Sequence, residues 1–368
     1  MKSLYQNKIN SDHPTYDVVV VGLGKRGMHH FQAYEEHPQT QVTGVCDLDA
    51  SRLLQLRESK PDLFISSSAE AVIGTAQPDI LCICTPPSVR LPLIKLAVEN
   101  NVKLIAMEKP ICYSSQEAFQ IKSLLDSKGV KAVVSHQHLY APAYQTVNRI
   151  IKSGEIGKVH TVYGTAAGWM MHMASHLVSY MSWFNHQEDI SWVMGQASGK
   201  GKFKTDHKSP DYLAGFIQFD NGVRGILESG GGAPDVPEVD HWWRKNRIGA
   251  QGTHGYAEVL TGIGWRAMTK DGYQSGEGGM NYEHDMKYYI ADTIEWLDGA
   301  SPPLCNFDQA YKGHQAVMAL CKSVVEGGQV SLPLQTLSHE IDDLFHYMSD
   351  KALLVSSDKH SKYYCESD

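Results

Sequence analysis

A glycine-rich turn is the first stretch of the chain whose residue types could do chemistry. It follows the apolar run Val18–Val21, precedes a segment of helical pattern, and reads G-x-G-x-x-G. In such a turn the first Gly closes the bend, the second lets a pyrophosphate approach the backbone, and the third lets the helix pack against the strand. The helix N-terminus then offers unpaired N–H groups to the phosphates. The sequence therefore predicts a dinucleotide site at Gly22, Leu23, Gly24, Lys25, Arg26 and Gly27.

An acidic residue stands where a dinucleotide site needs one. Asp47 follows the run Val42–Cys46, close to the expected spacing of about 20 residues from the glycine turn. A carboxylate at this place accepts hydrogen bonds from the ribose hydroxyls and repels a 2′-phosphate, so NAD is favoured over NADP as the cofactor. We interpret Arg52, five residues further on, as a solvated helix residue.

Candidate cofactor contacts also follow the fourth and fifth predicted strands, Ile80–Cys84 and Lys103–Met107. Ligands of open α/β sheets lie at the carboxyl ends of the strands. A partly desolvated Lys close to a nicotinamide cation can have a lowered pKa and could relay a proton. An ordinary turn and a surface Lys remain the alternatives. We expect the cofactor to be contacted by Thr85, Pro86, Glu108 and Lys109.

Two histidines, His172 and His176, are one helical turn apart and face the same way. Such a pair could bind a metal with other imidazoles, of which His136, His138, His160 and His241 are the candidates. The chain has no H-E-x-x-H motif, however, and with 18 His such pairs arise by chance. We therefore predict no metal site.

Aromatic residues near these histidines suggest a substrate site. Aromatic walls with a few polar groups suit carbohydrates. Core or interface aromatics are the alternative. The candidates for substrate binding, beside His172, are Trp169, Tyr163, Trp243 and Arg244.

The elements that must position these residues differ between the two parts of the chain. Up to about residue 136, short Val- and Ile-rich runs alternate with helical segments, which is typical of βαβ units and a parallel sheet. Beyond it, longer strands are predicted at 159–169, 192–198, 212–219 and 223–228, with a hairpin turn at Asn221-Gly222. Helices are predicted at 142–153, 172–184, 283–297 and 308–326, and Gly-rich loops at 229–238 and 271–280.

These patterns predict an α/β fold class. A Rossmann doubly wound parallel sheet is followed by an α+β domain with a large, mostly antiparallel open sheet. We expect an NAD-binding Rossmann domain at 1–136, a substrate-binding and oligomerisation domain at 137–335, and an appended helix with a frayed tail at 336–368.

Composition excludes several classes of protein. The formal net charge of -8 argues against a nucleic-acid partner, which requires a basic face. No apolar stretch reaches the roughly 20 residues of a membrane helix, and the polar N-terminus lacks a signal-peptide pattern. The seven Cys have no disulfide or zinc spacing and are interpreted as buried free thiols in a reducing compartment. We expect a cytoplasmic protein.

Three features in order resemble the glucose–fructose oxidoreductase / inositol dehydrogenase / rhizopine-catabolism family, Gfo/Idh/MocA. They are the G-x-G-x-x-G turn, the run Glu108-Lys109-Pro110, and a later His176 on a helix. The junction 151–159 and the turn Gly252-Thr253-His254-Gly255 are similar to the family as well. The likeness covers roughly residues 15–330.

The resemblance implies an NAD-dependent hydride transfer between the nicotinamide and a carbinol of a sugar, sugar derivative or cyclitol. It implies that Lys109 and His176 share the acid/base work, and His is the usual base near neutral pH. It also implies that the open sheet face forms a homodimer or homotetramer.

The chain departs from the family pattern at three positions. His172 stands where the family commonly has Asp, Ser179 replaces a later Asp, and Arg90 replaces a His. These changes leave two alternatives open. One is a redox-neutral NAD-dependent glycosidase or lyase that acts through a transient keto-sugar. The other is a non-catalytic, nucleotide-sensing regulator, against which the presence of both Lys109 and His176 argues.

Overall fold

Six parallel strands build the N-terminal sheet in a computed structural model that describes residues 15–205, 207–239 and 241–350. The strands occur in the order β3-β2-β1-β4-β5-β6, and all neighbours are parallel. This is the order of a doubly wound dinucleotide fold, so the predicted Rossmann sheet is confirmed. The alternating elements are β1 (Tyr16–Val21), α1 (Lys25–Glu36), β2 (Thr40–Cys46), α2 (Ala50–Ser59), β3 (Phe64–Ser66), α3 (Ala69–Ala76), β4 (Ile80–Ile83), α4 (Arg90–Glu99), β5 (Leu104–Met107), α5 (Ser115–Lys128) and β6 (Lys131–Val134).

Burial explains why these strands could be recognised from their sequence. Every residue of β4 and β5 is buried, because helices cover both faces of a parallel sheet. The edge strand β3 has no buried residue, and no apolar run predicted it.

A nine-stranded sheet dominates the rest of the chain. Its order is β14-β13-β12-β11-β7-β10-β9-β8-β15, and only the β7–β10 pair is parallel. The predicted, mostly antiparallel sheet is confirmed. The elements are α6 (Pro142–Lys152), β7 (Val159–Ala166), α7 (Met170–Phe184), β8 (Ile190–Ser198), β9 (Tyr212–Phe219), β10 (Arg224–Gly230), β11 (Asn246–Gly252), β12 (Gly255–Leu260), β13 (Gly264–Thr269), β14 (Gly272–Glu277), α8 (Tyr282–Leu297), α9 (Phe307–Glu326), β15 (Val330–Ser331) and α10 (Glu340–Tyr347).

The hairpin turns agree with the sequence in two places and differ in one. Asn221-Gly222 joins β9 to β10, with Gly222 at a φ of 85°, and the turn after Gly252 joins β11 to β12. The predicted loop 271–280 is wrong, because Gly272–Glu277 forms β14. This edge strand has no buried residue, so its Gly- and Ser-rich sequence carries no apolar signal, and backbone pairing with β13 defines it.

The chain divides into two compact units that interleave along the sequence. The first contains the described residues of 1–108, together with 120–135 and 282–307, so α8 belongs with the Rossmann sheet. The second contains 109–119, 136–281 and the described residues from 308 onward. The boundaries predicted at 136 and 335 differ from this division, because they assume that each domain is one continuous segment of the chain. The appended helix is present as α10, whereas the tail at 351–368 lies outside the described residues.

None of the described helices combines the length and the hydropathy needed to cross a bilayer.

A buried carboxylate ties together the middle strands of the large sheet. Glu258 of β12 is fully buried and accepts hydrogen bonds from Tyr163 Oη at 2.5 Å, Arg247 Nε at 2.6 Å and Arg266 Nε at 2.5 Å. Burial acts to raise the pKa of Glu258, but these hydrogen bonds outweigh it and hold the pKa below its usual value. The carboxylate is therefore stabilised in its charged form.

We expect Glu258→Gln to lower the free energy of unfolding by about 2 kcal/mol at pH 7, because it removes a charge-assisted acceptor from three donors. Since the folded pKa is depressed, this stability is present above the unfolded pKa of about 4.3 and is lost as the pH falls through the lower folded pKa. Urea unfolding at pH 7 and in acid measures both effects. The exposed Glu277→Gln on β14 is the control, and an equal loss in both variants would contradict the role of Glu258.

Candidate functional site

The backbone atoms of the glycine turn in the first unit pack too closely to leave room for side chains at two positions. Gly22 has a φ of 92°, a left-handed conformation that favours glycine. A Cβ on Gly27 would lie 1.8 Å from the Gly22 carbonyl oxygen, so only glycine fits there. The roles predicted for the first and third glycines of the motif agree with this geometry.

The middle glycine of the motif faces open space. Gly24 caps α1, and a Cβ added there would meet only Arg52 Nη1, at 3.8 Å. The first turn of α1 has no acidic residue that would compete for its N–H groups. The exposed Lys25 and the half-buried Arg26 begin the helix. An uncapped helix N-terminus beside open space suits a bound pyrophosphate.

Asp47 is fastened to the glycine turn by its own side chain. Its Oδ2 accepts a hydrogen bond from the backbone N–H of Leu23 at 2.5 Å, and its Oδ1 accepts one from the N–H of Asp49 at 2.8 Å. Arg52 Nη1 lies 3.3 Å from the same Oδ2. Arg52 is an exposed residue of α2, as interpreted from the sequence, and its guanidinium also pairs with the carboxylate expected to bind the ribose.

The residues after β4 lie at the carboxyl end of the sheet, as predicted. Pro86 is exposed, and the Thr85 carbonyl accepts a hydrogen bond from Arg90 Nη2 at 3.0 Å. Thr85 Oγ1 is buried and has no hydrogen-bond partner among the described residues. Arg90, noted as a departure from the family, is itself buried and holds this turn in place.

Glu108 after β5 contacts two side chains of α1 within the first unit. Its Oε1 lies 2.9 Å from Arg26 Nη2 and 3.0 Å from His30 Nε2, both on α1. Arg26 also packs over the Tyr282 ring at 4.7 Å. Glu108 and Arg26, both predicted to contact the cofactor, therefore bind each other beside the glycine turn.

Lys109 and His172 meet in the second unit. Lys109 Nζ donates a hydrogen bond to the His172 carbonyl oxygen at 3.3 Å, in the first turn of α7. The His207 ring lies 4.0 Å from the His172 ring. Burial, with smaller contributions from Lys109 and His207, lowers the pKa of His172 to about 2. His172 is therefore a neutral imidazole, and its buried Nε2 has no hydrogen-bond partner among the described residues.

His176 lies in a cluster of rings. The Tyr180 hydroxyl is 2.9 Å from His176 Nδ1, and the rings of His136 and His138 lie 5.1 and 6.1 Å from the ring of His176. Sequence reasoning missed Tyr180 and His207. Tyr180 could have been found, since it is four residues from His176 on one helix, whereas no pattern marks His207.

The aromatic residues predicted to bind substrate do not form one cluster in the structure. Trp169 caps α7, its ring lies 5.0 Å from the His172 ring, and Lys202 Nζ packs over it at 4.6 Å. Trp243 and Arg244 lie in the segment before β11, where the guanidinium packs over the indole at 4.6 Å. Trp169 thus adjoins the histidines of α7, while Trp243 and Arg244 pair with each other.

Tyr163 points away from these histidines. A Cβ on the neighbouring Gly164 would meet Leu177 and Met181 of α7, so Gly164 faces that helix. Successive side chains of a strand point to opposite faces. The Tyr163 hydroxyl accordingly donates a hydrogen bond to Glu258 on the other face, away from the histidines of α7, and its role in substrate binding stays a prediction.

The six histidines considered for a metal site all belong to the second unit. Among the residues that the structure describes, no three of these six have ligand atoms close enough to share one ion.

The sequence of the Rossmann region is similar to a known protein family. Residues 16–136 match the Gfo/Idh/MocA family, described as an oxidoreductase family with an NAD-binding Rossmann fold. An uncharacterized oxidoreductase, YrbE of Bacillus subtilis, is 28% identical over 141 residues, which are 38% of this chain and 41% of that protein. The scyllo-inositol 2-dehydrogenase (NAD(+)) of the same organism is 26% identical over 252 residues, 64% of this chain and 71% of the relative.

A solved structure extends the likeness of fold over both units. Levoglucosan dehydrogenase in complex with NADH and levoglucosan has a TM-score of 0.75 at 15% identity, over 87% of this chain and all of the other. Such low identity shows the fold alone. Across three of the curated relatives the matched share of their length is only 41% to 60%, so the chain spans about half of those proteins.

We expect Asp47→Ala to shift the ratio of kcat/KM for NAD to that for NADP at least about tenfold towards NADP, because it removes a charged acceptor for the ribose and leaves Arg52 free for a 2′-phosphate. Initial rates with both cofactors measure the shift. The control is Asp49→Ala, which removes another carboxylate beside Arg52. Melting temperatures of both variants separate this effect from loss of the Leu23 bond, and an unchanged ratio would refute the assignment.

We expect His172→Gln to reduce the acid sensitivity of folding. Because the folded pKa is depressed to about 2, the unfolded chain binds a proton below about pH 6.5 that the folded chain does not. Stability therefore falls with falling pH by up to about 1.4 kcal/mol per pH unit, and the variant lacks this contribution. Urea unfolding between pH 6 and 4 measures the slope.

The exposed His254→Gln is the control for this experiment and keeps the wild-type slope. His314, whose pKa burial lowers to about 4, contributes its own slope in every variant. Equal slopes in the His172 variant and the wild type would mean that His172 is protonated in the folded protein.

Proposed function

We propose that this chain, whose residues 16–136 match the Gfo/Idh/MocA family of NAD-binding oxidoreductases, is an NAD-dependent dehydrogenase of a sugar, sugar derivative or cyclitol. The observation that carries the proposal is the group on α7 in the second unit, where His176 is held among rings and Lys109 is hydrogen-bonded to the same helix. Two relatives of the chain are named as dehydrogenases of an inositol and of D-xylose, which supports this substrate class.

His176 acts as the base in this proposal. Removing a hydride from a carbinol carbon requires the hydroxyl proton to leave, and bound NAD supplies the hydride acceptor. For Nε2 of His176 to accept the proton, Nδ1 must carry the other hydrogen and donate it to the Tyr180 oxygen, 2.9 Å away. The Tyr180 hydroxyl can accept this hydrogen bond, so it is compatible with the tautomer that the base requires.

Lys109 shares the acid/base work and orients the substrate hydroxyl. Its ammonium is a strong donor, and one of its hydrogens is already directed to the His172 carbonyl. The neutral His172 offers a polar nitrogen to a substrate hydroxyl without adding charge. Trp169, at the start of α7, supplies an apolar ring on which a sugar face can stack.

A redox-neutral elimination at the same residues is the second candidate. Such a reaction needs an additional base to remove a carbon-bound proton and an acid to protonate the leaving group, whereas simple dehydrogenation needs one base. The rings of His136 and His138 beside His176 supply further groups of this kind. This is the observation that favours the second candidate.

We further infer that the protein acts in the cytoplasm as a homodimer or homotetramer. The large sheet exposes apolar side chains that are paired across neighbouring strands, namely Met194 with Phe216 and Met268 with Tyr273. The two pairs lie towards opposite ends of the sheet, and exposed apolar side chains of this kind are typical of an interface.

We expect steady NADH formation when the purified protein and NAD are mixed with the right member of a panel of sugars, cyclitols and glycosides. Lys109→Ala and His176→Ala should lower kcat at least about 100-fold, because each removes a proton-transfer group. The matched controls are the exposed Lys158→Ala and His160→Ala in the same unit. Absorbance follows NADH, mass spectrometry of the same samples identifies the products, and calorimetry checks that NAD still binds.

The outcomes separate the candidates. A cleaved glycoside without NADH accumulation would replace the dehydrogenase by the redox-neutral enzyme. Wild-type rates in the Lys109 or His176 variant would remove that residue from the mechanism.

A further inference from the structure

A group of buried sulfur and nitrogen atoms lies beneath the glycine turn, and neither the Rossmann fold nor the proposed reaction uses it. Cys82 in β4 and Cys84 just after it are two residues apart and share one face of the sheet. His30 of α1 covers that face. The potential ligand atoms of these three residues all lie within 4.8 Å of one another. Among the described residues, no other group of three or more His, Cys, Asp or Glu side chains does so.

The distance between the two sulfurs suits a shared ion. Cys82 Sγ and Cys84 Sγ are 3.7 Å apart. With Zn–S bonds of about 2.3 Å, two sulfurs of a tetrahedral site lie about 3.8 Å from each other. A thiol–thiol contact has a similar length, so the argument needs evidence from the third residue.

His30 provides that evidence. Its ring is fully buried, and its Nε2 lies 3.0 Å from Glu108 Oε1. Its Nδ1 is also buried, yet it has no hydrogen-bond partner among the described residues. A buried polar atom without a partner is costly. A His that binds a metal through one nitrogen almost always gives its other N–H to a carboxylate, which is the relation of His30 to Glu108.

The charges of the group balance with a divalent ion. Two thiolates and one divalent cation sum to no net charge, so the filled site places no uncompensated charge in the core. Cys84 as a residue is partly exposed, whereas Cys82 and His30 are buried.

We propose that His30, Cys82 and Cys84 bind one thiophilic divalent metal ion, Zn²⁺, with a solvent molecule as the fourth ligand. Two metal–sulfur bonds and one metal–nitrogen bond form, both thiols lose their protons to solvent, and no electron is transferred. Sulfur and imidazole ligands in a tetrahedral arrangement favour zinc over magnesium or calcium.

The position of the site links it to the dinucleotide turn. A Cβ on Gly22 would lie 2.7 Å from the Cys84 carbonyl oxygen, so the turn rests on this residue. An ion that fixes Cys84 therefore also fixes the support of the turn. We expect Zn²⁺ to raise the melting temperature of the protein, since it binds only the folded arrangement.

Cobalt provides a spectroscopic test that does not depend on activity. The full-length protein is reduced, treated with a chelator and titrated with Co²⁺. We expect one Co²⁺ per chain, with the visible bands of tetrahedral cobalt, a sulfur-to-cobalt charge-transfer band, and displacement by Zn²⁺. Cys84→Ser and His30→Gln should each lose this spectrum. Cys46→Ser, a buried thiol at the end of β2 in the same sheet, should keep it.

A second measurement needs no variant. Zn²⁺ should slow alkylation of Cys84 several-fold in the wild-type protein, as measured by peptide mass spectrometry, and leave the rate at Cys46 unchanged. A cobalt spectrum without the sulfur band would point to the histidines of the second unit instead and would overturn the proposal. Retention of the full spectrum by Cys84→Ser, or no Co²⁺ bound by the wild type, would overturn it as well.

Discussion

The close approach of Gly22 and Gly27 sets where the first helix meets the sheet. A side chain on either residue would collide with backbone atoms, at 2.7 Å from the Cys84 carbonyl oxygen for Gly22 and at 1.8 Å from the Gly22 carbonyl oxygen for Gly27. Strand β1, helix α1 and strand β4 are thus held in direct backbone contact. Because α1 packs so closely against the sheet, His30 lies beside Glu108 and the two cysteines. The same close packing lets the N–H of Leu23 donate a hydrogen bond to Asp47.

The same constraint explains why the geometry of the glycine turn could be predicted from sequence. The roles of Gly22, Gly24 and Gly27 are local, since each depends on the strand before it and the helix after it. Asp47 could be found by its place at the end of the next strand. The sequence did not reveal which charged side chains form ion pairs. In the structure Arg52 pairs with Asp47, and Arg26 pairs with Glu108.

The acid/base half of the site was only partly predictable. Lys109 and His176 were found through family resemblance, and their roles remain a proposal. Their surroundings come from residues far apart in sequence, such as His136, His176 and His207, so no spacing rule could bring them together. Tyr163 lies apart from these histidines for a simple geometric reason. Its position in the alternation along β7 turns it to the face opposite α7, where Glu258 accepts its hydroxyl.

The interleaving of the two compact units limits how this chain can be divided. The polypeptide passes from one unit to the other five times, at 108/109, 119/120, 135/136, 281/282 and 307/308. A fragment ended near residue 136 would contain all six parallel strands but would lack α8, whose Tyr282 lies under Arg26 and whose Tyr289 ring meets His30 edge-on. No single cut yields a complete nucleotide half. A chimaera that exchanges one unit between related proteins must therefore transfer several non-adjacent segments together.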